Sequence, residues 1–381
     1  PDNSLNDSEK KQLAQYYLNN NSTNYVNALK EVVAQRRVYV DSIEPVKQIM
    51  VMKERSIPRQ TFVLDRGNYD SPTDSVFPNV PEKILPWKKG WPKNRLGLAK
   101  WITDKDNPLT ARVTVNRYWQ NLFGRGLVLS SEDFGNQGDL PTHPELLDWL
   151  AIRFVESGWN VKDLMKTIVM SNTYQQSSVI NETLLAVDSE NKWLARGPSN
   201  RLSGEMIRDN ALFASGLLNR TIGGESVKPY QPEGLWEVNG DTYLQDSLEG
   251  LYRRSMYTIW KRTVPNPTIG TFDAPTRDLC SSRRQKTNTP LQALVVLNDP
   301  TYIEASRVLG KQMSEAKDAK TGIKMAFKKL TGRSINDKEL ALLTKLQKSE
   351  YEKFKNNANK ARGWLQTGAF QIADTDNKAL I

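Results

Sequence analysis

The chain has 381 residues, 38% apolar and 25% charged, with Lys and Arg exceeding Asp and Glu by 53 − 43 = 10. That composition is ordinary for a water-soluble globular protein, and the length predicts two or three packed subdomains. It contains no run of about 18 apolar residues, which excludes a spanning helix, and its single Cys280 and single His143 exclude an internal disulfide and the usual four-ligand zinc site.

Residues 1–56 form a first region, polar and helical. Its start, "PDNSLNDSEKK", lacks the basic and apolar stretches of a signal peptide. Val26, Leu29, Val33, Val40 and Ile43 recur at threes and fours, with breaks expected at Arg36 and Pro45, so this is a helical arm or linker, or a hairpin. Residues 57–93 form an extended connection in which "RQTFVLDRG" reads as a short strand ending at Gly67.

The main helical domain is expected over 94–381. Ala111, Val115, Tyr118, Trp119 and Leu122 share one helical face, and Gly124 ends that helix. A second helix follows Pro144, burying Leu146, Leu147, Leu150, Ala151, Phe154 and Val155 and stopping at Gly158. Asn160 caps a third, with Val161, Leu164, Met165, Ile168 and Val169 inward, and a fourth spans about 203–218 on Ile207, Ala211, Ala214 and Leu218. "RRSMYTIWKRT" (253–263), aromatic and β-branched, reads as a strand. Helices follow at 290–297 and 300–315, another on Ile323, Ala326, Phe327 and Leu330, and a last, exposed one over "NDKELALLTKLQKSEYEKFKNN". The expected class is therefore mainly α: a multi-helix globular domain with a few short β-strands and a helical N-terminal arm.

The lone histidine lies in "THPE" (142–145), which has the grammar of a helix start. Thr142 and Glu145 fit a capping box, and Pro144 suits the first turn. His143 is left unexplained. At the positive end of a helix it is held neutral, so it reads either as architecture or as a base or ligand. The same grammar recurs at "TNTPLQALVVLNDP", where Thr289 and Gln292 form the box and Asp299–Pro300 open the next helix.

Arg283, Arg284 and Lys286 in "SSRRQKTN" suit carboxylate or phosphate, or ion pairs with buried carboxylates. Arg117 joins the anion-binding candidates. "PWKKGWPKNR" interleaves Trp87 and Trp91 with lysines, either as a stacking surface for sugars or bases or as tryptophans that pin a loop to the core. Asp133 in "SSEDFG" is the candidate carboxylate partner of His143. Glu205 and Arg208, one turn apart, read as a helical ion pair. "DKDN" (104–107) and "NGDTYLQD" (239–246) carry oxygen ligands for Ca²⁺ but read more simply as solvated turns, so no metal site is assigned. No C-x-x-C-H run attaches a c-type haem, and no nucleophile elbow, phosphate loop, dinucleotide fingerprint or H-E-x-x-H motif is present.

Taken together, "NRLGLAKWITDKDNPLTARVTVNRYWQNLFGRGLV", "SSEDFGNQGDLPTHPELLDWLA", "GWNVKDLMKTIVMSNTYQQSS", "PYQPEGLW" and "FDAPTRDLCSSRRQKTNTPLQALVVLNDP" resemble one family. It is the planctomycete-type domain of unknown function at the C-terminal end of large secreted proteins that carry a "planctomycete cytochrome c" domain. "RQTFVLDRGNYDSP" resembles the segment that precedes this domain. The resemblance implies an extracytoplasmic address, periplasmic or on the outer surface, in a bacterium that degrades polysaccharides. It also implies a parent chain with c-type haem elsewhere, and no cofactor in this chain. "RLSGE" has Gly204 where the resemblance would put alanine, and the chain stops at "DTDNKALI", short of the expected closing helix.

The expected function is that of a recognition module beside an electron-transfer domain, with no reaction assigned. It would bind an acidic glycan or a neighbouring secreted protein, with the parent's other domains as further partners. The alternative is a hydrolase-like enzyme acting on extracellular polysaccharide, with His143 as base, Asp133 orienting it, and Arg283 and Arg284 clamping an anion. Nucleic acid rests on net charge alone and is not expected.

Overall fold

The computed structural model describes residues 6–43, 49–237, 240, 242–355 and 357–370. Among these, helix accounts for 49% and strand for 4%, which makes the class mainly α. The chain divides into two compact units, Pro1–Asn79 and Val80–Ile381.

In the first unit, α1 (Asp7–Asn21) and α2 (Thr23–Ile43) pair. Asn6 caps α1 through a reciprocal box with Glu9. The expected break at Arg36 is absent: α2 runs through it, because arginine is a good helix former. Pro45 lies outside the described residues. β1 (Thr61–Leu64) occupies the predicted strand and ends three residues before Gly67. It pairs antiparallel with β2 (Pro72–Val76), which sequence reading missed. Polar, and opened by a proline that donates no ladder hydrogen bond, β2 has no strand signature.

The second unit begins with α3 (Arg95–Ile102), α4 (Thr110–Phe123), α5 (Pro144–Glu156), α6 (Val161–Val169) and α7 (Glu182–Val187). α4, α5 and α6 enclose one core of Val115, Trp119, Phe123, Leu147, Leu150, Phe154, Leu164 and Ile168. Trp119 and Phe123 stack with centroids 4.1 Å apart. Each such side chain contributes roughly 1.5–3 kcal/mol by leaving water. Gly124 ends α4 at φ 80°, a left-handed cap that suits glycine. Asn116, fully buried on α4, acts as a substitute strand. Its Nδ2 donates to Val128 O and its Oδ1 accepts from Val128 N, both at 2.9 Å. This pins the segment after α4, and Leu127 O then receives Thr142 N at 2.9 Å, which places the start of α5.

The remaining helices are α8 (Gly204–Ser215), α9 (Leu248–Leu251), α10 (Pro267–Thr271), α11 (Pro290–Asn298), α12 (Pro300–Ser314), α13 (Ala319–Thr331), α14 (Asp337–Lys355) and α15 (Ala358–Leu365). α8 packs on α12, α13 and α10. A Cβ on Gly204 would lie 2.9 Å from Phe272 Cβ and 3.0 Å from Ile269 O, so the missing side chain lets α8 approach α10. The expected strand at 253–263 does not form. Ser255–Tyr257 make a 3₁₀ turn, and among the described residues only isolated bridges join Arg253 to Asn219, Thr258 to Val227 and Lys261 to Val264. Arginines replace a neighbouring strand there: Arg208 Nη1 donates to Arg253 O at 3.0 Å and Nη2 to Leu251 O at 2.5 Å.

α11 is turned inside out. Its polar Gln292 is buried, while Leu291, Leu294 and Leu297, at 56%, 55% and 64% exposure, line its outer side. Asp299 closes α11 and caps α12. On α12, Glu304 is fully buried and accepts from Tyr252 Oη at 2.9 Å, Tyr230 Oη at 3.2 Å and Phe370 N at 2.6 Å. Arg307 lies 3.9 Å away and donates to the carbonyls of Leu365 and Phe370. Burial, followed by the adjacent Glu304, pushes the Tyr230 phenol up to about 12. Burial and the hydrogen bond to Glu304 raise Tyr252 further.

Candidate functional site

His143 is the N-cap of α5, with Pro144 in the first turn as expected. The expected capping box of Thr142 and Glu145 is absent, and His143 makes no side-chain cap. Thr142 stands one residue before the cap, where its hydroxyl meets Leu127 O at 3.4 Å and His143 Nδ1 at 2.9 Å. The ring is half-buried, its centroid 6.1 Å from that of Trp193 in an edge-to-face arrangement.

Asp133 serves a turn of its own. Its Oδ1 accepts from Gly135 N at 2.7 Å, while Ser130 Oγ donates to Asp133 O at 2.8 Å and accepts from Asp139 N at 2.7 Å. His143 and Asp133 share no hydrogen bond, so the orienting pair of the hydrolase reading is not assembled.

The arginine-rich loop does converge on a pocket. A shallow, open indentation is lined by Arg201, Ser203, Asp273, Arg284, Gln285 and Lys286, with Leu202 and Phe272. None of these residues lines the hollow that touches Thr142. Its frame is the first turn of α11: Gln292 Nε2 donates to Thr271 O at 3.0 Å and Thr287 Oγ1 at 3.1 Å. The reciprocal box of Thr289 and Gln292 is present as expected. Asp273 accepts from Thr287 N at 2.7 Å. Arg201 reaches Asn288 Oδ1 at 3.0 Å and Gln292 Oε1 at 2.6 Å.

Glu205 does not pair with Arg208 as expected. Its carboxylate receives Arg284 Nη1 at 2.9 Å on both oxygens, whereas Arg208 is buried under the 251–255 backbone. Burial raises the Glu205 carboxyl, but its own backbone N–H and Arg284 outweigh this and hold it below the usual carboxylate range. Burial lowers the Lys286 ammonium, although the residue as a whole stays exposed. Among the described residues Arg201 is matched only by amide oxygens and Lys286 has no anionic partner, so the pocket keeps positive charge beyond what Glu205 and Asp273 neutralise. Arg283 and Arg117 are exposed and line neither hollow.

Trp87 and Trp91 are half-buried and meet edge-to-face at 6.3 Å, packed on Val80, Leu85 and Trp101. They pin the 80–93 segment to α3. Lys88 Nζ sits 2.7 Å from Asp104 Oδ1 and 2.9 Å from Asp106 Oδ2, so an ammonium fills the place a Ca²⁺ would take in "DKDN". In the second Ca²⁺ candidate, Asn239 and Asp241 lie outside the described residues. Among the described residues no group of three or more His, Cys, Asp or Glu could hold a metal ion.

Sequence reading missed Arg201 and Asp273 as lining residues of the pocket and Glu205 as the partner of Arg284. Their roles depend on contacts across 79 and 91 residues for Glu205 and Arg201, which no local pattern encodes. The model of a family described as PSD1, protein of unknown function (DUF1553), matches residues 94–347. No curated protein and no solved structure matches the chain.

Proposed function

The chain belongs to the DUF1553 family, and on that premise we propose that it is an extracytoplasmic recognition module that binds an acidic glycan, taking a carboxylate or sulfate group in the pocket of Arg201, Arg284 and Lys286. The observation that carries this reading is the gathering of three cations from two distant stretches round one indentation, with no ion pair to Lys286 among the described residues. A partly desolvated ammonium beside a guanidinium that already grips a carboxylate is suited to a second anion. The net charge of +10 would draw anionic ligands toward it.

The family-like stretches quoted from the sequence support the setting: a secreted parent chain with a planctomycete cytochrome c domain elsewhere, in a periplasmic or surface system for polysaccharide use. The hydrolase reading is not carried further, since His143, Asp133 and Arg284 each bond separately.

Isothermal titration with polygalacturonate and chondroitin sulfate fragments at low and physiological salt tests the reading. Binding that weakens with salt, and about tenfold in Lys286→Ala, is expected. No binding, or binding indifferent to Lys286→Ala, overturns it.

A further inference from the structure

Residues 188–197 form a loop held from within by two buried charged residues. Asp188, 8% exposed, accepts Lys192 N at 2.7 Å on Oδ1 and Trp193 N at 2.8 Å on Oδ2. Arg196, 5% exposed, donates from Nη1 to Asp188 O at 2.8 Å and from Nη2 to Ser189 O at 2.7 Å. The Asn191 amide closes the loop on Arg196 O and N at 2.8 and 3.2 Å. Gln176 Nε2 ties Leu194 O from outside at 3.0 Å.

Within this frame two non-glycine residues take left-handed backbone, Asn191 at φ 55° and Leu194 at φ 59°. Asparagine tolerates that region, but for leucine it is uncommon and persists only where the surroundings enforce it. What the enforced geometry does is visible. Leu194 turns in against the core of α4–α6, and Trp193 beside it is left 59% exposed. A loop needing only to close could have buried the indole, and a rigidly held, outward tryptophan is a binding feature more than a packing one.

The indole is not alone. The His143 ring meets it at 6.1 Å and 70° between planes. Lys192 Nζ stands 5.2 Å from the ring centroid. Nδ1 of His143 is engaged by Thr142, and Nε2 makes no hydrogen bond among the described residues. Beside them lies a shallow hollow lined in part by Thr142, Asn191, Lys192 and the Arg125–Glu190 ion pair.

We propose that Trp193, His143 and Lys192 form a saccharide-binding subsite, in which a pyranose ring lies against the indole, a ring hydroxyl bonds His143 Nε2, and Lys192 meets a carboxylate on the sugar. An aromatic face with a few convergent polar groups is the usual make-up of such a site. A nucleobase would also stack, but single-stranded nucleic acid needs a track of cations along its backbone. Here Arg125 is already spent on Glu190. The subsite shares no residue with the Arg201–Lys286 pocket and does not rest on it.

The test uses the full chain with three probes: digalacturonate, cellohexaose and oligo-dT, each titrated by calorimetry against parent, Trp193→Ala, His143→Ala and Lys286→Ala proteins. Trp193 is exposed, so its variant is expected to keep the parent's circular dichroism and melting temperature. The expected result is saccharide binding that falls about tenfold or more in Trp193→Ala, as loss of one stacking platform implies. It should fall less in His143→Ala and stay unchanged for cellohexaose in Lys286→Ala. Three results overturn the subsite: no binding of either sugar, equal binding by Trp193→Ala, or oligo-dT bound as tightly as the sugars. Loss confined to Lys286→Ala would leave the acidic pocket standing and remove the subsite alone.

Discussion

Replacing Glu304 by alanine should be the most damaging single change in the larger unit that leaves its helices' own sequences otherwise intact. The carboxylate is wholly buried, accepts from two phenols and the Phe370 amide, and stands 3.9 Å from the buried Arg307 guanidinium. Deleting one partner of a buried ion pair leaves an uncompensated charge and costs about 3–5 kcal/mol. Each buried donor left without an acceptor is worth about 1–3 kcal/mol. The two figures describe overlapping contacts and are not summed, so the expected loss is about 3–5 kcal/mol. Glu304→Gln keeps the shape and one acceptor and should lose less, about 1–3 kcal/mol.

Urea unfolding measures this as a lower midpoint at unchanged slope. Hydrogen exchange adds a local readout, because the amides of Ala369 and Phe370 donate to Tyr230 Oη and Glu304 Oε1. Glu304→Ala should unprotect both before any global transition. A variant within about 1 kcal/mol of the parent, a loss ordinary for surface changes and too small for a broken buried pair, would refute the reasoning, most clearly if both amides stayed protected.

Asn116→Ala removes both bonds to Val128, at about 1–3 kcal/mol for each buried group left unpaired, and should shift the His143 ring resonances through Leu127 and Thr142; an unmoved histidine spectrum counts against that relay. Gly204→Ala places a Cβ 2.9 Å from Phe272 Cβ and should cost about 1–3 kcal/mol in thermal or urea unfolding, as overpacking does; a neutral or stabilising change would mean α8 can shift freely. Glu339, held by Arg333 and by the Asn336 N–H, titrates at about 2 in the folded chain. Its value is depressed from the ordinary range near ~4.3, so the anchoring of the α14 start is complete above that pH and fades as pH falls through about 2. A carboxyl carbon titration should find that midpoint and see it rise toward the ordinary value in Arg333→Ala.

Local grammar was legible wherever nothing distant competed with it. Asn160 caps α6, Gly124 ends α4, and Thr289 with Gln292 closes its box, because each bond spans a few residues. Thr142 and Glu145 spell the same box and do not form it, since the Thr142 hydroxyl turns to Leu127 O and the imidazole. Glu205 and Arg208 have ion-pair spacing, yet the glutamate finds an arginine 79 residues away. The strand signal at 253–263 failed for a related reason: buried guanidiniums from Arg208 and Arg253 satisfy carbonyls that a neighbouring strand would otherwise engage.

Of the site, Arg284 and Lys286 were visible as a basic run, whereas their acidic and amide partners were not. Trp193 in "DSENKWLARG" was invisible for another reason. Nothing in residue types announces a left-handed leucine or the outward indole beside it.

The reversed α11 predicts that this chain associates with itself in concentrated solution. Three leucines spaced along one outer face, with the helix's polar Gln292 consumed inside, make a strip that two colliding molecules can share without unfolding. Because Gln292 and not the leucines holds the loop frame, Leu291, Leu294 and Leu297 can be exchanged for lysine or glutamate without touching either hollow. Their replacement is therefore the place to begin when a sample must stay dispersed at the concentrations that calorimetry and spectroscopy demand.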